Sequence, residues 1–531
     1  MLRIAIIISL SLLVFYSNIN GISIYILDEA KNATCAREMY ERGDLVVPTY
    51  NGDLRTEKPP LHYYFMMAAY AVSGTTPFTA RFFSAFMGVF TVLIVYFFTK
   101  HYRNERSAFY ASLIMLASLM AGIQFHLSVP DPYLIAFMML GTLFLYRAWQ
   151  REHAGYMIAG YTCLGLAFLA KGPIAVMLPA FGILLFFLFR KEFNWPNVKK
   201  LAPWWGLLII LIVTFPWYYL VGLKTDGEWL REFFFKQNVE RFTSTMEGHG
   251  GFPFSAIVIL FAALLPFSVF IPQAVIELWK ARKYDHFTFF ALSCGTAIVL
   301  FFSFSRTILP SYLSPAIPFF AIVLGSYLNR IPERIKQPKN IATALYALVF
   351  LTMILPLAAY FGLEQDKGLN HLSHLAFYLL LLPIGAIVAL VLYKKNKVER
   401  TIYVLAGSFI ATFVIIMYVV LPPIDRTNPV YHSRKILEAY APKIYYYERM
   451  NAAYAFHYGK VIPRIPSETV LDSLLRADPE ALIISRKDKL GDLLQNKPAV
   501  EVFRRKDLFD LHTTIIFKGR PKEGQGLVSD K

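Results

Sequence analysis

The stretch RFFSAFMGVFTVLIVYFFT, residues 81–99, decides the fold class, because no charged side chain follows Arg81 until Lys100. An apolar helix of about 20 residues spans a bilayer core of about 30 Å, since each residue adds about 1.5 Å. Apolar stretches of similar length recur almost to residue 420. A bilayer core offers no water to unpaired backbone groups, so such stretches must be helical. The sequence therefore predicts a polytopic α-helical membrane protein.

The composition agrees with this class and explains the strong positive charge. The 531 residues are 56% hydrophobic and only 17% charged, with a formal net charge of +17. In a soluble protein that charge would indicate a nucleic-acid partner, but here the basic residues cluster in short loops between apolar stretches, as membrane topology requires. Cys35, Cys163 and Cys294 are scattered and fit neither a metal site nor a disulfide framework. We expect no nucleic-acid partner.

The apolar pattern predicts about thirteen transmembrane helices. Residues 61–73 are apolar but short, and we place them at the membrane interface. Residues 4–19 follow Arg3 as a signal peptide would, but no small-x-small cleavage site comes after them, which favours a retained first helix. The predicted spans lie near 4–25, 81–99, 107–125, 131–147, 154–170, 173–189, 202–221, 255–273, 285–302, 311–328, 341–362, 374–393 and 401–421.

Every second loop between these spans is basic, which orients the protein. Cytoplasmic loops carry the excess of Lys and Arg, so the N-terminus is predicted to be cytoplasmic. Loops 26–60, 126–130, 171–172, 222–254, 303–310 and 363–373 then face outward, with everything after residue 421. The basic loops hold Lys100, Arg103 and Arg106; Arg147 and Arg151; Arg190, Lys191, Lys199 and Lys200; Lys280, Arg282 and Lys283; Arg330, Arg334, Lys336 and Lys339; and Lys394, Lys395, Lys397 and Arg400.

The tail, residues 426–531, is polar and differs from the rest of the chain. Short strand-like runs at 443–447, 481–484 and 513–517 alternate with helical patterns near 448–457, 467–476 and 487–495. Such alternation over about 100 residues is typical of a small α/β domain. We therefore divide the chain into a transmembrane domain, residues 1–425, and a periplasmic C-terminal α/β domain, residues 426–531.

Two acidic motifs lie in the first outward loop. Asp28 and Glu29 follow the first apolar stretch, where Asp28 either caps a helix over 29–42 or serves catalysis. Glu57 and Lys58 precede two prolines, and this pair suits either a metal ligand beside a phosphate-binding cation or a simple ion pair at the membrane edge. The spacing alone favours the ion pair.

Isolated charges at other outward positions have two interpretations. Asp131, between two prolines, marks a tight turn or a second acid facing the same cavity as Asp28. Single cations at helix ends either snorkel or converge on a phosphate, whose oxygens accept from Arg and Lys. His249 lies among glycines in the long loop 222–254 and is a candidate metal ligand or acid/base group. The candidate phosphate ligands are Arg81, Lys171, Arg306 and Tyr312.

An ordered set of motifs runs through these segments. It comprises Asp28-Glu29, Arg37-Glu38-Met39, Gly43-Asp44, Val47-Pro48, Glu57-Lys58-Pro59-Pro60, Thr79-Ala80-Arg81, Pro130-Asp131, Lys171-Gly172-Pro173, Phe215-Pro216-Trp217-Tyr218, Asn238-Val239-Glu240-Arg241-Phe242, Gly248-His249-Gly250, and Ser305-Arg306 with Tyr312 and Pro315. No single motif is diagnostic. Over residues 1–330, however, the set resembles the lipid A aminoarabinose transferases and the wider GT-C glycosyltransferases related to protein mannosyltransferases.

This resemblance implies an inverting transfer from a sugar on a polyprenyl phosphate to lipid A or another envelope acceptor, at the periplasmic face of the inner membrane. The sugar would be 4-amino-4-deoxy-L-arabinose, mannose or a similar one. Asp28 would act as general base or orient the acceptor, with Asp131 as a second catalytic acid. Glu57 and His249 would hold a divalent ion such as Zn, Mg or Mn. Lys31, Lys58, Arg81, Tyr312, Arg306 and Lys171 would surround the donor phosphate.

The sequence departs from the family pattern at one of these positions. Lys31 stands where the family commonly has Arg, and a lysine keeps the charge but loses the bidentate fork. Two alternatives stay open: an enzyme similar to protein O-mannosyltransferases that acts on Ser or Thr, and a transporter or lipid flippase. Against transport, the ionisable residues lie at outer helix ends rather than at the midplane, where transporter sites usually lie.

Overall fold

The structure, a computed structural model, describes residues 1–240, 254–305, 308–331, 339–440, 443–491, 499–508 and 512–520. The first half holds helices α1 Leu2–Phe15, α2 Leu27–Arg42, α3 Leu61–Ser73, α4 Pro77–Tyr102, α5 Glu105–Ala117, α6 Leu119–His126, α7 Asp131–Arg151, α8 Ala154–Lys171, α9 Ile174–Arg190, α10 Trp195–Lys200, α11 Pro203–Lys224 and α12 Glu228–Arg231, which continues as a π-helix over Glu232–Glu240. A hairpin of β1 Thr49–Tyr50 and β2 Asp53–Leu54 lies between α2 and α3.

The second half completes the helical body and then changes character. Its helices are α13 Ser255–Ala263, α14 Ile271–Ala281, α15 His286–Ser303, α16 Ile317–Arg330, α17 Lys339–Gln365, α18 Leu381–Lys394, α19 Val398–Ile415, α20 Leu421–Asp425 and α21 Pro429–Tyr440. Tight helical turns cover Phe267–Phe270, Pro310–Ala316 and Asn370–Leu380, and a π-helix covers Ile416–Val420. The C-terminal domain follows with β3 Ile444–Tyr447, α22 Ala453–Tyr458, β4 Arg464–Ile465, α23 Glu468–Ala477, β5 Leu482–Arg486, α24 Lys487–Leu490, β6 Ala499–Lys506 and β7 Thr513–Gly519.

The prediction of a polytopic helical membrane protein is confirmed. In the described part of the chain, nine helices are long and apolar enough to cross a membrane, and the count reaches 11 if two bent pairs each form one span. The bent pairs are α5 with α6, and α13 with residues Phe267–Ala281. Two further apolar helices, α1 and α9, are shorter than a full span. Each of the thirteen predicted segments contains a helix, but only nine to eleven helices of the described chain meet the length of a membrane span.

The first predicted span is wrong at its C-terminal end. We expected a helix over 4–25, whereas α1 ends at Phe15 and residues 16–26 form a non-helical segment, here called the strap. Asn18 adopts a left-handed backbone conformation with φ of 50°, which Asn tolerates better than most residues. The polar run around Asn18, Asn20 and Gly21 is a turn signal that the surrounding isoleucines obscure.

Small residues allow the helices of the membrane body to pack closely. A Cβ added at Gly141 of α7 would lie 2.8 Å from the carbonyl oxygen of Gly160 on α8. One added at Gly325 of α16 would lie 2.5 Å from the backbone nitrogen of Ala111 on α5. Helix association inside a bilayer depends on such contacts, because lipid is as apolar as the side chains.

The C-terminal domain contains a five-stranded mixed sheet in the order β4-β3-β5-β7-β6. β3 pairs in parallel with β4 and β5, whereas β7 pairs antiparallel with β5 and β6. The predicted strands at 443–447, 481–484 and 513–517 are found as β3, β5 and β7. The prediction missed β4, β6 and helix α21. The helix expected near 487–495 begins as α24, and its second half lies outside the described residues.

The β1–β2 hairpin joins the membrane body to the C-terminal domain. Asn51 and Gly52 form its turn with φ values of 53° and 85°, as an Asn-Gly hairpin turn requires. The Asn51 amide donates to the Ile462 carbonyl at 2.9 Å and accepts from the Ile462 nitrogen at 2.8 Å. Buried Arg37 of α2 adds a hydrogen bond of 2.9 Å to the Ala455 carbonyl. The outer part of α2 is thereby fixed against the C-terminal domain.

Replacing Asn51 by glycine tests this junction. Asn51→Gly keeps the positive φ but removes both hydrogen bonds and leaves the buried backbone of Ile462 unpaired, so we expect a loss of about 3 kcal/mol of unfolding free energy. The matched control is Asp53→Ala in the same hairpin, whose side chain is exposed. Thermal unfolding in detergent measures both, and equal midpoints for the two variants would contradict the interaction.

Candidate functional site

A buried ion pair between Glu29 and Arg81 lies at the centre of the site. Nε and Nη2 of Arg81 each donate to a Glu29 oxygen at 2.7 Å, and both residues are buried. Arg81 also donates to strap carbonyls: to Ile19 and Ile22 at 2.8 Å, and to Ser23 at 2.9 Å. All five N–H groups of this guanidinium therefore have partners within the protein. The structure gives Arg81 this positioning role and leaves it no donor for the phosphate that the sequence analysis assigned to it.

The same glutamate reaches a third element. The backbone nitrogen of Ser128 donates to Glu29 Oε1 at 3.0 Å, just before α7 begins at Asp131. One carboxylate thus connects α2, α4 and the turn that carries Asp131. Because an unpaired buried charge is costly, these elements must keep this arrangement for the charges to stay compensated.

Asp28 lies beside Glu29 but points to solvent. Helix α2 begins at Leu27 and its N-cap is Ile26, so the prediction that Asp28 caps a helix over 29–42 is wrong by two residues. Asp28 occupies the first turn, where the helix dipole favours a carboxylate. It is exposed, and within the described residues its carboxylate has no hydrogen bond or ion pair. This carboxylate is therefore available to a ligand.

Three cations surround Glu57. Arg55 Nη2 lies 2.9 Å from Glu57 Oε2 and Lys31 Nζ lies 3.4 Å from Oε1, while Lys58 is the next residue. Burial alone would raise the pKa of Glu57, but the charges of Arg55, Lys31 and Lys58 prevail and lower it from 4.5 to about 2. Positive charge exceeds negative charge here, and this excess suits an anion.

Arg55 is the residue that the sequence analysis missed. Its guanidinium donates to the Tyr63 hydroxyl at 3.2 Å and to Asn32 Oδ1 at 3.1 Å, besides pairing with Glu57. The Trp229 indole donates to the Arg55 carbonyl at 2.8 Å, which binds this segment to α12. Arg55 stands only two residues before Glu57, a proximity in the sequence that would have been the signal for it.

A second cluster contains Asp131, Lys171 and Tyr312. Lys171 Nζ lies 2.6 Å from Asp131 Oδ1 and 5.2 Å from the centroid of the Tyr312 ring. Asp131 begins α7 and Lys171 ends α8, so two residues predicted from separate loops do meet. Lys171 is already paired, and its charge is shared between this carboxylate and any further anion.

Two predicted site residues, Arg306 and His249, lie outside the described residues. The metal prediction joined His249 to Glu57, whose two oxygens each face a cation. Because His249 lies outside the described residues, this metal site stays a prediction. No group of three His, Cys, Asp or Glu side chains in the described ranges could hold a metal ion.

An apolar groove of about 490 Å³ lies between α8, α11 and the segment that begins with α12. One wall includes Phe168, one turn before Lys171. The opposite wall includes Leu230 and Phe234, and between them Glu232 accepts a hydrogen bond of 2.8 Å from Thr56. The groove also contains Leu211, Thr214, Phe215, Tyr218, Tyr219, Gly222, Leu223 and Gly227.

The two consecutive acids of α2 should respond differently to removal of their charge. Glu29→Gln leaves the Arg81 guanidinium buried without its counter-charge, and we expect a loss of about 3 kcal/mol of unfolding free energy. Asp28→Asn is the matched control, one residue away and exposed, and should unfold like the wild type. Thermal unfolding in detergent separates them, and equal stability of the two variants would exclude the central role of Glu29.

The low pKa of Glu57 predicts how stability depends on pH. Since folding lowers this pKa from 4.5 to about 2, the ionised carboxylate stabilises the fold above pH 4.5 and loses that effect as the pH falls towards 2. The difference in unfolding midpoint between wild type and Glu57→Gln should therefore shrink below pH 4.5. Asp53→Asn, at an exposed position, is the control. A constant difference over this range would contradict the assignment.

Comparisons with known proteins identify the family. The model of the dolichyl-phosphate-mannose-protein mannosyltransferase family matches residues 57–220. An uncharacterised protein of Aquifex aeolicus is 30% identical over 325 residues, covering 61% of this chain and 73% of that protein. The undecaprenyl phosphate-alpha-4-amino-4-deoxy-L-arabinose arabinosyl transferase of Yersinia enterocolitica is 29% identical over 322 residues. This alignment covers 59% of our chain and 57% of the transferase, so the match spans little more than half of that relative.

The fold extends the likeness to the whole chain. The crystal structure of ArnT from Cupriavidus metallidurans, bound to undecaprenyl phosphate, superposes with a TM-score of 0.80 at 20% sequence identity. The superposition covers 97% of each chain, the C-terminal domain included. The resemblance stated from the motifs is thereby confirmed: the chain belongs to the mannosyltransferase-related family of GT-C membrane glycosyltransferases and is similar to the arabinosyl transferases within it.

Proposed function

We propose that this protein transfers a sugar from a polyprenyl-phosphate donor to a lipid acceptor of the cell envelope, at the outer face of the inner membrane. The observation that carries the proposal is the position of an exposed carboxylate, Asp28, next to the cation-rich cluster of Lys31, Arg55 and Lys58. Asp28 and Lys31 are three residues apart on α2 and therefore neighbours on one helix face. A base and a phosphate ligand are thus held side by side.

The reaction breaks the bond between the anomeric carbon and the phosphate oxygen of the donor. The phosphate leaves with the electron pair, and its growing negative charge needs stabilisation by fixed cations. Lys31 and Lys58 are assigned to this role. Arg55 is a positioning residue that holds Glu57, and Glu57 in turn orients Lys31. Lys31 would bind the phosphate through a single ammonium group, whereas an arginine at this position would donate two parallel hydrogen bonds.

The acceptor forms the new bond at the opposite face of the anomeric carbon, with inversion. If the acceptor is a hydroxyl, Asp28 takes its proton as the oxygen attacks. If the acceptor is a phosphate group, that proton is already absent at neutral pH, and Asp28 orients the acceptor instead. Asp131 and Lys171 are assigned to the sugar and phosphate on the α7–α8 side of the site.

The apolar groove beside the site supports a prenyl chain as part of the donor. Its walls belong to helices that carry Lys171 on one side and contact the Arg55–Glu57 segment on the other. A polyprenyl chain in this groove would place its phosphate between the two clusters. The arabinosyl transferases to which the chain is similar are named for undecaprenyl phosphate.

The finer assignments follow the same relatives. We propose 4-amino-4-deoxy-L-arabinose or a similar sugar, and lipid A or a related glycolipid as acceptor. We propose that the site and the C-terminal domain lie in the periplasm, which the alternation of basic loops supports. A divalent ion held by Glu57 and His249 stays a prediction. Transfer to Ser or Thr of a protein is the second candidate, since the family model carries a protein mannosyltransferase description.

The experiment compares wild type, Asp28→Asn and Lys31→Gln in proteoliposomes with undecaprenyl-phosphate sugars and envelope lipids. We expect Asp28→Asn to lower transfer by about 10²-fold or more, as loss of a general base does, without weakening donor binding. Lys31→Gln should weaken donor binding about tenfold, as loss of a charge-assisted hydrogen bond does. Asp53→Asn, at an exposed position of the β1–β2 hairpin, is the control.

Mass spectrometry of the products decides between the candidates. A sugar-sized increment on a glycolipid supports the proposal, and an increment on a protein selects the second candidate. Full transfer by a folded Asp28→Asn variant would remove Asp28 from the reaction. Movement of substrate across the membrane with no transfer by the wild type would contradict the enzyme and favour a transporter.

A further inference from the structure

A second cavity lies between the membrane body and the C-terminal domain, away from Asp28 and Glu57. This interdomain groove has a volume of about 450 Å³. Its membrane-side wall is formed by Asn20–Ser23 of the strap, Pro77 and Asp425. The domain-side wall is formed by α21, α22 and the following loop, through residues that include Val430, Tyr431, Arg434, Leu437, Glu438 and Lys460.

Two of the lining residues fix the level of the groove relative to the membrane. Pro77 begins the candidate span Pro77–Tyr102, and Asp425 ends the candidate span Val398–Asp425. Both span ends open into the same cavity, so the groove lies where helices leave the bilayer. Lipid headgroups occupy this level at high local concentration.

The two carboxylates that line the groove already accept hydrogen bonds, whereas its two cations keep N–H donors that have no carboxylate partner among the described residues. Asp425 accepts from the backbone nitrogen of Ser23 at 2.9 Å and from its hydroxyl at 2.5 Å. Glu438 accepts from Arg434 Nε at 2.7 Å. Among the described residues, neither the two terminal amino groups of Arg434 nor Lys460 pairs with a carboxylate. Both side chains line the same cavity, where a bound phosphate would accept hydrogen bonds from these donors.

The remaining walls suit the rest of a lipid headgroup. Tyr431 is 53% exposed, and Tyr458 is half-buried in the same groove. Tyrosines at a membrane boundary present an apolar ring to the glycerol and acyl region and a hydroxyl to the polar region. Val430 and Leu437 add an apolar floor. The combination differs from the apolar groove near Lys171, which has no charged lining residue.

We propose that the interdomain groove binds the phosphate-bearing headgroup of a membrane lipid, with Arg434 and Lys460 as the phosphate ligands. The site is separate from the donor site and does not depend on the proposed reaction. Its membrane-side wall includes the strap, whose Ile22 and Ser23 carbonyls accept hydrogen bonds from Arg81. A bound lipid would therefore contact both the strap and the C-terminal domain and stabilise their arrangement.

The experiment uses the full chain in detergent and measures binding of phosphatidylglycerol by native mass spectrometry and by thermal stabilisation. We expect the double variant Arg434→Gln/Lys460→Gln to bind at least about tenfold more weakly than the wild type, since charge-assisted hydrogen bonds to phosphate are lost. The matched control is Lys435→Gln/Lys489→Gln, which removes the same charge from exposed positions outside the groove. Undecaprenyl phosphate binding, measured in parallel, should be unchanged in the double variant.

Three results would overturn the proposal. Equal phosphatidylglycerol binding by the wild type and the double variant would remove Arg434 and Lys460 as ligands. Equal stabilisation by diacylglycerol, which has no phosphate, would show that the headgroup phosphate is not recognised. Stabilisation by inorganic phosphate as strong as by the lipid would assign a soluble anion instead. Loss of undecaprenyl phosphate binding in Lys31→Gln but not in the groove variant would keep the two sites distinct.

Discussion

The ion pair between Glu29 and Arg81 is the interaction on which the rest of the site depends. Together with three strap carbonyls, Glu29 satisfies every donor of the Arg81 guanidinium, and these contacts connect the strap, α2, α4 and the turn before α7. Both groups are buried, and a buried charge is tolerated only while its partners stay in place. The helices that carry the polar residues therefore have little freedom to move relative to one another.

Fixing α2 in this way separates two kinds of charge along one helix. Glu29 is buried and its carboxylate is fully engaged with Arg81 and Ser128, while Asp28, one residue earlier, is exposed. Lys31 follows on the Asp28 side and pairs with Glu57 from the next segment. Side chains whose polar atoms are all paired within the protein hold the site in shape. Side chains that keep unpaired polar atoms are the ones that we assign to ligand binding. The same distinction marks the interdomain groove, where Asp425 is occupied and Lys460 is not paired with a carboxylate of the described chain.

Much of this architecture was predictable from the sequence. The apolar periodicity located the long apolar helices of the membrane body, and the alternating patterns of the tail located three of five strands. The end of the first span was mistaken because isoleucines continue through the strap, and only the turn residues Asn18 and Gly21 mark the break. Boundaries of this kind depend on tertiary contacts, here the three carbonyls bonded to Arg81.

The roles of individual charges were harder to predict. Sequence alone cannot show whether an arginine at a helix start faces a ligand or a buried carboxylate, so Arg81 was assigned to the phosphate and Arg55 was overlooked. The hydrogen-bond partners distinguish the two arginines. All five N–H donors of Arg81 are bonded within the protein, and Arg55 forms an ion pair with Glu57. Asp131 and Lys171 were both singled out, but their contact at 2.6 Å follows from the packing of α7 on α8.

The central claim is that the donor phosphate binds beside Asp28, at the lysines of the Glu57 cluster. An electron cryomicroscopy structure of the protein with undecaprenyl phosphate tests it most directly. The account predicts density for the phosphate within about 3.5 Å of the Nζ atoms of Lys31 and Lys58, with the Glu29–Arg81 pair intact. A phosphate bound to Arg81, or one held at Lys171 with Lys31 still paired to Glu57, would contradict it.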